Sequence, residues 1–241
     1  LVTDADERRA LLALNLRGGI KAKSASAFPT AVNLLRQAKS LLTADAWLAH
    51  PEQTLLLYRE LAEAEYLAGN FDQAELLYPE GIAAGGDVIA KVTLCLVQAD
   101  QYHIQGRFED SYPVLLFALE LLGRSFPATD EDAGKIFVSE FELTEARLAE
   151  QSQANLLSAP EVVQAEHLLE MRIYFSLSFS TYQTGRFNAF VVDACRMVQA
   201  TLRYGQSDLS SIGYVAYVTA MSAMKRPYPL CYEMGKLALN L

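Results

Sequence analysis

A short turn motif recurs along this chain and sets the kind of architecture it can adopt. In five places a small or polar residue is followed two positions later by an aromatic, and three beyond that by a small or apolar residue. The stretches are Ser26-Ala-Phe28-Pro-Thr-Ala31, Gly69-Asn-Phe71-Asp-Gln-Ala74, Gly106-Arg-Phe108-Glu-Asp-Ser111, Gly185-Arg-Phe187-Asn-Ala-Phe190 and Arg226-Pro-Tyr228-Pro-Leu-Cys231. Their aromatics fall roughly 40 residues apart, with one gap of about twice that between Phe108 and Phe187, which reads as a repeat that has lost its signature. Glycine can take the positive φ that ends one helix, the aromatic then fills the gap to the next, and the small residue lets the two helices approach closely.

The flanking apolar residues support that reading. Phe28, Ala31, Leu34, Leu35, Ala38, Leu41 and Leu42 follow one turn, and Leu55, Tyr58, Leu61, Ala62 and Leu67 precede the next, all at spacings of three and four. The predicted helices span 4–25 and 29–42, 51–68 and 72–84, 88–105 and 109–123, 161–184 and 188–204, then 208–225 and 228 to the end. Asp4 with Glu7 forms the first cap. Between 125 and 132 a polar loop is expected. A helix over 134–151 with a short element over 152–160 then forms an atypical repeat. Ile212 to Ala220 is rich in β-branched and aromatic residues but lies between helix signals, so it too reads as a buried helix. The expected fold is therefore all-α, an α-solenoid of about six antiparallel helix pairs in one domain over 1–241, with regular repeats over 1–124 and C-terminal repeats over 161–241.

Composition narrows the function. With 51% hydrophobic and 20% charged residues, the chain can bury a core. Its 13 glycines and 8 prolines are few for a turn-rich β fold. A net charge of −9 without a Lys/Arg cluster argues against nucleic acid or anionic membrane as partner. No apolar run reaches the ~20 residues that a membrane-spanning helix needs. Cys95, Cys195 and Cys231 are odd in number and far apart, so a reducing cytoplasm is the expected home. The start at Leu1 and the apolar end at Leu241 suggest a piece of a longer protein, whose cut faces would favour a homo-oligomer.

The turns resemble the tetratricopeptide motif. The second repeat carries it at Tyr58, Leu61, Ala62, Gly69, Phe71, Ala74, Tyr78 and Gly81, the third at Ala99, Tyr102, Gly106, Phe108, Ser111, Leu115 and Ala118. That resemblance implies a right-handed superhelix. Stretches such as Ala44-Asp-Ala-Trp47, Tyr58-Arg-Glu-Leu-Ala-Glu-Ala-Glu-Tyr-Leu67 and Tyr232-Glu-Met-Gly-Lys-Leu-Ala-Leu239 further resemble the helical-repeat segment of large bacterial signalling proteins. There an AAA/STAND-type ATPase precedes the segment and sensor and histidine-kinase modules follow; similar segments occur in ATP-dependent transcription regulators. The resemblance implies a middle piece that is not an enzyme, needs no cofactor, and binds a protein, a peptide or other domains of the same chain.

Individual residues give weaker signals. Gly81 to Asp87 has the outline of a phosphate loop but carries Asp87 where lysine is needed. His50, His103 and His167 lack metal-ligand spacing, although Glu166, His167 and Glu170 share a helix. Groove positions implied by the tetratricopeptide resemblance are Arg59, Glu63, Tyr66, Asp100, His103, Arg172, Phe175, Phe179 and Tyr182. They include no Lys/Asn set for holding a terminal carboxylate. Phe175, Phe179 and Tyr182 have a competing reading as core residues. The alternative function is small-molecule sensing, with the C-terminal aromatics lining a pocket and Arg172 anchoring an anion.

Overall fold

A computed structural model describes residues 4–84 and 87–241. The chain is all-α, and its helices pack against their neighbours. Among the described residues the one extended pairing is an isolated parallel bridge, Glu161 with Gln206. The Gly81–Asp87 stretch includes Gly85 and Gly86, which lie outside the described residues. The chain divides into two compact units, Leu1–Gln101 and Tyr102–Leu241.

The recurring turn has one backbone geometry. Ser26, Gly69, Gly106, Gly185 and Lys225 have positive φ, between 56° and 81°. At each, the amide of that residue bonds the carbonyl three back, and the next amide bonds the carbonyl five back. Examples are Gly69 N to Tyr66 O at 2.9 Å with Asn70 N to Glu65 O at 2.8 Å, and Lys225 N to Ser222 O with Arg226 N to Met221 O, both 3.0 Å. This pair of hydrogen bonds satisfies the last carbonyls of the helix, and the aromatic two or three residues later opens the next helix. In the final turn the left-handed residue is Lys225 rather than Arg226. With no glycine to mark it, the turn is one residue longer than its spacing predicts.

In the first unit, α1 (Ala5–Ser24) is capped by Asp4, whose carboxylate accepts the Glu7 amide at 2.8 Å. It packs on α2 (Phe28–Ser40), with Gly19 seated against Leu35. A short α3 (Ala46–Ala49) brings Trp47 over Tyr58, with ring centroids 5.4 Å apart. Then α4 (Pro51–Leu67) packs on both α2 and α5 (Phe71–Ala84). The helix α6 (Val88–Ile104) contributes Ala90 and Leu94 to the core of Leu16, Leu35, Leu57, Leu61 and Tyr78. Charged pairs stitch these helices together. Arg36 grips the buried Glu65 bidentately at 2.6 and 2.9 Å, and Lys39 meets Glu80 at 2.6 Å.

In the second unit, α7 (Phe108–Leu121) does not hand on to the next helix in sequence. It packs against α11 (Ala165–Gln183), while α8 (Asp130–Gly134) and α9 (Phe137–Ala149) pack on α12 (Phe187–Tyr204). The segment expected to form the atypical repeat is thus an excursion over α12, with α10 (Gln153–Leu157) touching α14 (Tyr228–Asn240). The predicted helix over 134–151 is broken at Lys135–Ile136. Asp130 to Asp132, expected as loop, is instead the first turn of α8, capped by Thr129, whose hydroxyl accepts the Asp132 amide at 3.1 Å. Asp130 also reaches across to the start of α12, accepting from Ala189 N at 2.9 Å and Asn188 Nδ2 at 3.0 Å.

Helix α12 explains why such a cover exists. Phe190 through Cys195, then Met197, Val198, Ala200 and Thr201 are all buried, so the helix is enclosed on every side rather than on one stripe. The expected start of α11 at Glu161 moves to Ala165, because residues 160–162 run extended beside Gly205, at φ 114°. A Cβ there would sit 2.2 Å from the Pro160 carbonyl oxygen. The segment 212–220 lies within α13 (Ser210–Ala223), which packs on α12 and α14. Phe141, fully buried, stacks on Tyr217 at 5.2 Å and joins the excursion to this core. Burial of a side chain of that size contributes on the order of 2–3 kcal/mol.

Candidate functional site

The residues expected to line a groove meet different fates. In α4, Glu63 accepts a bond from Lys23 at 2.6 Å, and Lys23 also pairs with the buried Glu60 at 2.5 Å. Arg59 contacts Glu60 at 3.2 Å, and Tyr66 packs on Phe71 at 5.3 Å. Burial works against the charge on Lys23, but its two carboxylate partners more than offset that and raise its pKa. Arg59 and Glu63 thus belong to a polar network that reaches α1 through Lys23, and Tyr66 lies outside it. Asp100 is half-buried on α6.

In the second unit the aromatic positions gather. His103 Nε2 lies 3.0 Å from Ser111 Oγ and 2.9 Å from Ser180 Oγ, and the two hydroxyls are 2.7 Å apart. This triangle joins the end of α6, α7 and α11. Both serines are fully buried, so the cluster fastens helices and no substrate reaches those hydroxyls. Above it, Phe179 lies 6.1 Å from the His103 ring and meets Phe175 edge-on at 5.1 Å. Phe175 is half-buried, whereas Phe179 is 47% exposed and Tyr182 66% exposed. Arg172 is exposed one turn earlier on α11.

A cleft of about 290 Å³ continues from this row. Tyr182, Phe187 and Phe190 line one side and Thr219 and Ala223 of α13 the other. Val215, one turn before Thr219, is 55% exposed. The sequence marks Phe187 and Phe190 only as turn aromatics; their second role follows from Gly185, whose positive φ folds α12 back beside Tyr182. The surface is apolar with a polar margin, which suits an apolar side chain better than an ion.

Other chemistry-bearing groups are committed to packing. All three cysteines are buried, and burial pushes the Cys95 and Cys195 thiols up to about 12. His167 lies flat on Tyr204 at 3.6 Å, while Glu170 turns inward to Arg124 at 2.9 Å. Among the described residues no group of acids, histidines and cysteines is arranged to hold a metal ion, and no helix is long and apolar enough to cross a membrane. Arg172 takes no part in lining the aromatic cleft. No family model, curated protein or solved structure matches the chain.

Proposed function

We propose that this chain is a non-catalytic docking module, a tetratricopeptide-like right-handed α-solenoid whose α11–α13 face receives an apolar or amphipathic protein segment. The observation that carries the reading is the row of Phe179 and Tyr182, exposed beside an apolar cleft rather than turned into the core. Exposed aromatics at helical spacing are the anchors that helix-in-groove recognition uses. In the cytoplasmic signalling context suggested by the sequence resemblance, the segment would come from a neighbouring ATPase or histidine-kinase module. Docking would bias that module between states by its difference in affinity for them.

Selection of helical peptides on the purified 241-residue chain tests this. Selected peptides should carry aliphatic or aromatic anchors and lose about tenfold in affinity to a Phe179→Ala/Tyr182→Ser variant of unchanged circular dichroism. Peptides that bind wild type and variant equally would remove the docking face. A small-molecule pocket anchored by Arg172 finds less support, because that side chain lies outside the aromatic cleft.

A further inference from the structure

A second cleft in the unit Tyr102–Leu241 has the opposite character. It encloses about 280 Å³ between the chain that leaves α7 and helices α9, α11 and α12. Four arginines converge on it: Arg124, Arg147, Arg196 and Arg203. The single carboxylate in its lining is Glu170. In a chain of net charge −9, such a concentration of positive charge is an island.

The four play two parts. Arg124 is fixed by Glu170 through its Nε at 2.9 Å and by the Tyr204 hydroxyl, which accepts from Nη2 at 3.3 Å. Arg196 is fixed by Glu140 at 2.9 Å and by the Ser125 carbonyl. These two are built into the wall, their charges matched. Arg147 and Arg203 have no carboxylate partner among the described residues. Arg147 donates to the Gln199 side-chain oxygen at 3.2 Å, and Gln199 is itself held by Glu140 and Thr144 at 3.1 and 2.9 Å. Arg203 lies over the Tyr204 ring at 5.2 Å. Four guanidiniums against the carboxylates of Glu170 and Glu140 leave two positive charges in excess, facing one small volume. Like charges so placed repel each other until an anion arrives, and guanidinium N–H groups left over from the fixed pairs point to what would satisfy them.

We infer that this cleft is a binding site for a small dianion, a phosphate monoester, held by Arg147 and Arg203 against a wall made by Arg124 and Arg196. A dianion matches the excess of two charges. Donors that arrive from two helices and a loop suit the tetrahedral oxygens of a phosphate, whereas a planar carboxylate is satisfied by one arginine fork. The volume takes a phosphate with a small attached group and excludes a nucleic acid strand. The site is separate from the aromatic face, so it stands whether or not that face docks a protein.

The test is a thermal-shift and calorimetric titration of the 241-residue chain with inorganic phosphate and phenyl phosphate, against sodium chloride at matched ionic strength and against succinate. Phosphate should raise the melting temperature saturably, and phenyl phosphate at least as much, because binding to the native state stabilises it. The double variant Arg147→Ala/Arg203→Ala removes no ion pair, so it should fold and keep its melting temperature in chloride while losing at least tenfold in phosphate affinity. Arg147→Lys/Arg203→Lys should retain part of the binding. The inference is overturned by a phosphate response no larger than that of chloride, or by one that persists in the alanine variant. An equal response to succinate would overturn the assignment to phosphate.

Discussion

The five turns between paired helices offer a measurement in which a single backbone angle decides the sign of a stability change. Ser26 and Lys225 occupy the left-handed region at φ 58° and 56°, where Gly69 and Gly106 sit at 81° and 71°. A Cβ at Gly69 or Gly106 would meet nothing within 4 Å, so packing does not enter and the difference lies in the backbone alone. Holding a residue with a Cβ in that region costs about 1–2 kcal/mol. The greater freedom of glycine in the unfolded chain offsets about 0.5–1 kcal/mol of this. Ser26→Gly and Lys225→Gly should therefore each stabilise by ~0.5–1 kcal/mol, and Gly69→Ala and Gly106→Ala destabilise by a similar amount. Urea denaturation followed by circular dichroism reads this as opposite shifts of midpoint at unchanged slope. Ser26 and Gly69 share one unit, and Gly106 and Lys225 the other, so the comparison can be made within each. If the glycine substitutions destabilise, or the alanine substitutions at Gly69 and Gly106 are neutral, the shared turn geometry does not set these energies.

Other outcomes follow from buried groups. Asp193 is fully buried, and desolvation raises its pKa well above 3.8 despite a bond from Ser178 and the charge of Arg196. The folded state therefore binds more protons than the unfolded above the ordinary carboxylate range, and stability falls as pH rises toward the folded pKa. Relative to wild type, Asp193→Asn should gain up to about 1.4 kcal/mol per pH unit across that window, starting near pH 4; parallel pH–stability curves would exclude it. A Cβ at Gly19 would lie 2.5 Å from Leu35 Cγ, so Gly19→Ala should cost about 1–3 kcal/mol despite alanine's better helix propensity, and the loss should shrink when measured in a Leu35→Ala background. Cys95, Cys195 and Cys231 should resist a thiol reagent in the native protein and all react in urea; rapid native labelling of any would show that its helix opens readily.

The turns were readable because glycine followed by an aromatic has a fixed mechanical meaning, and the helices around them because their apolar residues recur at three and four. Residue type alone does not mark the rest of the fold. At Lys225 a non-glycine takes the left-handed angle, one residue before the position that the motif's spacing marks. Between Phe108 and Phe187 the spacing suggests two periods, whereas what matters is that α7 meets α11; the run Phe190 to Cys195, apolar except for Asp193, is the sign that something must cover α12. Of the candidate groove residues, helical spacing on α11 brought Phe175, Phe179 and Tyr182 into one row, but spacing could not say which would be exposed. The arginine cleft draws on four separate stretches of chain. Its one trace in the sequence is Arg196 with Arg203, seven apart and so on one face of α12.

The meeting of α7 with α11 has a kinetic side. Most helix contacts in this chain join near neighbours in sequence and can form as soon as a turn closes. The α7–α11 contact must wait for a loop of roughly 40 residues to close, at an entropic cost that grows only slowly with its length. Folding of the second unit should therefore be paced by that closure. Shortening the excursion should speed it modestly, and weakening the hydrogen-bonded triangle of His103, Ser111 and Ser180 that seals it should slow it.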